Sequence, residues 1–228
     1  MHFKLATLAL LLAALSLSPG DTFSQVRQSN VGYLTVSAQG GAFIFLGDVK
    51  RYLVFPAPDE IRSGASVHLG YKVSPRTNLR LRAVSGGMAG YRGTESFEGN
   101  YDELSLLAEL QISRLLPLSQ AFHQRLVVYA LAGAGVGRFD SEYKDLCPSG
   151  NIFTEEASGT TAVVPLGMGV SYRLTPRISL VLEMTNSVTF RDDLDTVVRN
   201  RNDVVNMTLL GLEFRFWDTR TPTYGCPF

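Results

Sequence analysis

The chain has 228 residues, in which 21 Lys and Arg are balanced by 21 Asp and Glu, so the formal net charge is zero. That balance gives no global basic field for nucleic acid. Two cysteines are too few for disulfides to be the main source of order in an exported chain. After the first residues no run of about 18 apolar residues occurs, which excludes a membrane-spanning helix there.

Met1-His2-Phe3-Lys4 precedes an apolar run from Leu5 to Leu17. A short basic start and an apolar stretch of this length describe a secretory signal peptide. The expected cut follows Ser24 in Thr22-Phe23-Ser24-Gln25, where small residues flank the position before the cut. The expected organisation is a signal peptide over 1–24, one barrel domain over 25–217, and a C-terminal tail over 218–228.

Eight strand-like segments follow. Strand one is predicted over Tyr33–Leu46, with Leu34, Val36 and Ala38 alternating against Thr35, Ser37 and Gln39, and a bend or bulge expected at Gly40-Gly41. Strand two, Ala65–Val73, sets Val67, Leu69 and Tyr71 against Ser66, His68 and Lys72; strand three starts near Asn78, with Leu79 and Leu81 opposite Arg80 and Arg82. Strand four, Asp102–Ser113, sets Leu104, Leu106, Ala108 and Leu110 against Glu103, Ser105, Glu109 and Gln111. Strand five, Leu126–Phe139, carries Gly or Ala on both faces, which leaves its facing ambiguous. Strand six, Ala162–Leu174, has Met168, Val170 and Tyr172 against Gly169, Ser171 and Arg173, with an irregularity expected at Pro165. Strand seven, Ile178–Phe190, sets Leu180, Leu182 and Met184 against Ser179, Glu183 and Thr185. Strand eight, Val204–Trp217, ends with Leu212, Phe214 and Phe216 opposite Glu213 and Arg215.

Side chains of a strand alternate between faces. Here one face is aliphatic and aromatic, while the other holds Arg80, Arg82, Glu103, Glu109, Arg173, Glu183, Glu213 and Arg215. Arg or Lys on the lipid side at the bilayer midplane costs about 2–4 kcal/mol, so a face without charge is informative. A lipocalin-like barrel has the opposite arrangement, with an apolar interior. The predicted fold is therefore all-β: an eight-stranded antiparallel transmembrane β-barrel. Short turns follow strands two, four and six, and longer polar segments follow strands one (about 47–64), three (about 92–101), five (about 140–160) and seven (about 191–203). An even strand count places both termini in the periplasm. The turn after strand two, Tyr71-Lys72-Val73-Ser74-Pro75-Arg76, is echoed after strand six by Tyr172-Arg173-Leu174-Thr175-Pro176-Arg177. In each, proline presets the turn backbone and the tyrosine belongs in an interfacial girdle.

An eight-stranded barrel has an interior just wide enough for side chains. The eight luminal charges are read as structural filling that pairs across the lumen; a gated proton or ion path is the competing reading. Asp192, Asp193 and Asp195 form an expected outer-loop contact, and the spacing lacks the glycine and terminal glutamate of a calcium loop. His68 and His123 have no serine motif beside them, and no Gly-x-Ser-x-Gly elbow occurs. No catalytic, cofactor or metal site is expected. Cys147 and Cys226 fall on opposite sides of the membrane in this topology, too far apart for a bridge.

Several segments carry a family resemblance: Gly40-Gly41 with Leu46-Gly47-Asp48, the glycine strand Tyr129–Gly137, Val164-Pro165-Leu166-Gly167, and Asp192-Asp193-Leu194-Asp195 before the closing Leu212–Phe216 strand. With these, the mature chain resembles the small outer-membrane β-barrels of OmpA or OmpX type, in a pattern similar to barrels of Bacteroidetes-like bacteria. The resemblance implies a Gram-negative cell-envelope protein in the outer membrane, in contact with lipids and lipopolysaccharide. It also implies a non-enzymatic structural or interaction scaffold with exposed outer loops. Two alternatives stand beside it: an accessory subunit of a type IX secretion or gliding complex, with an envelope or secretion-complex protein as partner, and an outer-membrane lipid-modifying enzyme.

Overall fold

A computed structural model describes residues 32–46, 58–92, 94–114, 125–146, 152–190 and 203–218. Eight strands make one closed antiparallel barrel: β1 (Tyr33–Leu46), β2 (Ile61–Lys72), β3 (Thr77–Arg92), β4 (Glu95–Gln111), β5 (Leu126–Leu146), β6 (Ile152–Arg173), β7 (Ile178–Thr189) and β8 (Val204–Asp218). Each strand pairs with its sequence neighbours, and β1 closes the ring on β8 from Tyr33↔Asp218 to Leu46↔Val204. Both termini of the ring therefore lie at one end, called here the terminal end; the other is the loop end. Among the described residues no helix is long and apolar enough to cross a membrane; this barrel crosses with strands.

The alternation sorts the wall as expected. Leu69, Leu81, Leu106, Met168, Leu182, Leu210, Leu212 and Phe216 stand exposed on the outside. Arg80, Arg82, Glu103, Glu109 and Glu183 are buried inside. On the outer face of the strands, charges begin only towards the loop end, at the register partners Asp102 and Arg138. The ambiguous fifth strand turns Tyr129, Leu131, Phe139 and Tyr143 inward.

Three local expectations need correction. Gly40-Gly41 causes no register shift; the shift on the closing seam lies between Leu34 and Thr35. Gly41 instead permits a close inter-strand approach, since a Cβ there would run into the Thr208 carbonyl oxygen. The segments expected as loops at about 92–101 and 140–160 are largely strand. β3 and β4 pair out to Arg92↔Glu95, and β5 and β6 to Leu146↔Ile152, whereas β2–β3 pairing ends at Gly64↔Gly86 and β6–β7 pairing at Val163↔Thr189. Four strands thus rise past the common wall as a projecting sheet. Beyond the wall polar residues stand on the outward face, so the hydrophobic alternation lapses while backbone pairing continues. β2 also begins earlier than expected, at Ile61. The irregularity expected at Pro165 is present: β5–β6 pairing breaks between Ala132↔Leu166 and Gly135↔Val163, where proline has no N–H to give.

Inside the loop half sits an apolar layer that the alternation did not reveal. Phe43, Phe45, Met88, Phe97, Tyr101, Phe139, Tyr143, Met207 and Leu209 pack together out of reach of solvent. Phe45 meets Phe97 edge-on, with centroids 4.8 Å apart and planes at 71°. The Phe43 ring lies over two glycines, and a Cβ on either Gly64 or Gly86 would collide with it. Small residues on β2 and β3 therefore make the niche that the ring fills.

Phe43→Ala should destabilise the barrel by about 3–5 kcal/mol and Gly64→Ala by about 1–3 kcal/mol. The double variant should cost less than the two summed, because both act on one niche. Urea titration of the barrel folded in lipid vesicles measures all three.

Candidate functional site

The lumen holds the polar residues predicted for it, and their positions divide them into two groups. The first is a central ion-pair cluster. Arg80 on β3 reaches across the lumen to donate from Nη1 to Glu183 Oε2 on β7 at 2.9 Å, and lies 3.4 Å from Glu109 Oε2 on β4. The Tyr129 hydroxyl donates to the same Glu183 oxygen at 3.0 Å, and the Arg80 guanidinium stands 5.6 Å from the Tyr129 ring centroid. Further along β3 towards the loop end, Arg82 donates to Glu103 Oε1 at 2.5 Å and to Ser105 Oγ at 3.2 Å. Glu103 accepts further bonds from the Tyr101 hydroxyl at 2.9 Å and Ser187 Oγ at 2.5 Å. Arg82 Nη1 and Glu183 Oε1, 3.9 Å apart, link the two pairs.

All four partners of these close pairs are fully buried. Taking a charge out of water costs several kcal/mol, and only good geometry with added hydrogen bonds offsets it. That is the arrangement here. Asn78 Nδ2 and Gln111 Nε2 each donate to Glu109 at 3.3 Å, so each carboxylate has donors besides its arginine.

The second group, Arg173, Glu213 and Arg215, sits at the terminal mouth and does not join the central pairs. With Lys72, Glu109 and Tyr33 these residues border a cavity of about 40 Å³. Arg215 stacks on Tyr33, 4.0 Å from the ring centroid, and donates to its hydroxyl at 3.3 Å. Above the wall, on the projecting sheet, Glu98 pairs with Arg62 and accepts from the Tyr91 hydroxyl at 2.8 Å. That bond to Glu98 raises the Tyr91 pKa above its ordinary value.

His68 requires a correction of detail. A serine does stand beside it: Ser66 Oγ lies 2.9 Å from His68 Nε2. This is half of a nucleophile–base arrangement, which also needs an acid to orient the base. His68 Nδ1 has no hydrogen-bond partner, and its cross-strand neighbour is Arg82. Both Ser66 and His68 are buried in the lumen wall.

Several participants escaped the sequence reading. Tyr101 shares its face with Glu103, but the fourth strand was expected to start one residue later, at Asp102. Tyr129 was hidden among glycines and alanines. Ser187 and Asn78 had the right parity and no other signal. Among the described residues no group of three or more His, Cys, Asp or Glu is placed to hold a metal ion. Asp192, Asp193 and Asp195 lie outside the described residues, as do His123, Cys147, Cys226, the segment 1–24 and the tail from Thr219.

The family model described as the outer membrane protein β-barrel domain matches residues 7–216. No curated protein matches the sequence significantly. Among solved structures, a major outer membrane protein of Thermus thermophilus superposes with a TM-score of 0.50 at 17% identity, over 80% of this chain and 99% of that one. Ail, the attachment invasion locus protein of Yersinia pestis, gives 0.49 at 14% identity over 82% and 99%. Neisserial surface protein A gives 0.47 at 15% identity over 80% and 97%. At such identities the likeness is one of fold.

Arg80→Met leaves Glu183 and Glu109 without their common cation, and should cost about 3–5 kcal/mol. Arg80→Met combined with Glu183→Leu should recover part of that loss. Denaturant midpoints of the vesicle-folded variants check both, and a cheap single substitution would deny the pairing its structural weight.

Proposed function

The chain belongs to the outer membrane protein β-barrel domain family, and from that premise we propose that it is a non-catalytic barrel acting as a structural and interaction scaffold. It resides in the bacterial outer membrane. The carrying observation is the filling of the lumen in two layers, ion pairs in the terminal half and aromatic and aliphatic side chains in the loop half. A lumen filled in this way supports a wall rather than a conduit.

The terminal end is assigned to the periplasm. Tight proline-marked turns, Ser74–Thr77 and Thr175–Ile178, connect strands there, and the longest strands rise at the other end. Bacterial outer-membrane barrels combine short periplasmic turns with longer outer segments. The projecting sheet then faces the cell's surroundings and is the surface offered for contact. Its outward face carries Glu98, Glu142 and Glu156 in register across β4, β5 and β6, with Arg62 and Lys144 paired to two of them. Like charges placed directly opposite destabilise a sheet, so this face is shaped by solvent and contact rather than by wall stability.

In planar bilayers the folded barrel should add no stepwise conductance. Regular single-channel steps from the unmodified protein would replace the scaffold reading with a pore.

A further inference from the structure

The two matched turns set basic side chains beside the lipid-facing wall. We propose that the terminal end of β5 and β6 holds a binding site for the headgroup of an anionic phospholipid of the periplasmic leaflet. The proposal rests on the membrane orientation given above.

An open groove of about 520 Å³ lies there, lined by Arg125, Tyr172, Arg173, Leu174, Thr175 and Pro176. Its size is in the range of small-molecule sites. Its two sides differ in chemistry. Tyr172 and Leu174 face outward and are exposed, continuous with the lipid-facing wall above them. Arg125 and Arg173 both line this groove, and both residues also border the cavity at the lumen mouth. Register places them together: Leu126 pairs with Tyr172, so the residues just beyond each meet at the strand ends. The Thr175 hydroxyl accepts from the backbone N–H groups of Arg177 and Ile178, at 3.3 and 3.0 Å. Its own proton is left to donate.

A phosphodiester suits this set. Arginine forks match phosphate oxygens, and a hydroxyl adds a third donor. The acyl chains then lie along Tyr172 and Leu174, in the position where interfacial aromatics sit. Charge at the whole end agrees. Among the described residues the exposed charged side chains of the terminal end are Arg76, Arg125 and Arg177, all cationic. The loop end exposes both signs, Asp59, Glu98, Asp102, Asp140, Glu155 and Glu156 with Arg138 and Lys144. Each arginine near an anionic membrane surface contributes attraction, and a groove that gathers two of them selects one headgroup position out of that general field.

The test is native mass spectrometry of the full mature chain in mild detergent, with phosphatidylglycerol or phosphatidylcholine added at equal concentration. Phosphatidylglycerol adducts should exceed phosphatidylcholine adducts several-fold. Arg125→Glu, a change at an exposed position, should abolish that excess. Arg76→Glu, at the matched turn outside the groove, should keep it. Equal adducts for the two lipids would overturn the site, and so would equal loss in both variants, which would mean a diffuse field. Displacement of the lipid by inorganic phosphate alone would assign the groove to a soluble anion and also overturn it. Orientation is read separately, from an impermeant maleimide on an Arg76→Cys, Cys147→Ser variant in intact cells. Labelling there would overturn the periplasmic assignment and with it the leaflet named here, while lipid preference in detergent tests the groove itself.

Discussion

Hydrocarbon offers no partner for a backbone N–H or C=O, and each one left unpaired costs several kcal/mol. A sheet survives there only by closing on itself. In this chain closure rests on β1 meeting β8 over the full length of both, from Tyr33↔Asp218 to Leu46↔Val204. Once the ring is closed, side-chain direction has only two values. Every residue of a spanning strand meets either lipid or lumen, and a one-residue slip would exchange them all.

The interior then has to be filled from whatever parity sends inward. The chain answers differently at its two ends. Near the termini the inward residues are charged, and their burial is offset by the Arg80–Glu183 and Arg82–Glu103 pairs with added hydrogen bonds from Tyr101, Tyr129, Ser105 and Ser187. Near the loops the inward residues are aromatic and aliphatic, and Phe43 fits because Gly64 and Gly86 leave room for its ring. The two layers are complementary. The ion pairs tie β3 to β7 across the lumen, while the apolar layer packs the loop half above them.

How much of this was legible depends on what alternation can report. It told which residues share a face, so the lipid-facing Leu104, Leu182 and Leu212 and the luminal Arg80, Glu109 and Glu183 were readable directly. It did not tell what a face meets along its length. Phe43 and Phe45 share a side with Thr35, Ser37 and Gln39, and only the three-dimensional course of β1 shows that one side passes from a polar to an apolar layer. Pairing was also out of reach. Arg80 and Glu183 lie 103 positions apart, and their meeting follows from barrel stagger, which no single strand encodes. Strand ends beyond the membrane were misjudged because hydrophobic alternation stops where lipid stops, although Glu95 still pairs with Asp145 and Glu98 with Glu142.

Hydroxyl-radical footprinting of the barrel in a lipid bilayer reads whether the apolar layer seals the lumen. Met88 and Met207, buried in that layer, should resist oxidation in the folded barrel and react readily after unfolding. Oxidation of either at the unfolded rate while the barrel remains folded would show water in the loop half of the lumen, and would rule out a sealed interior.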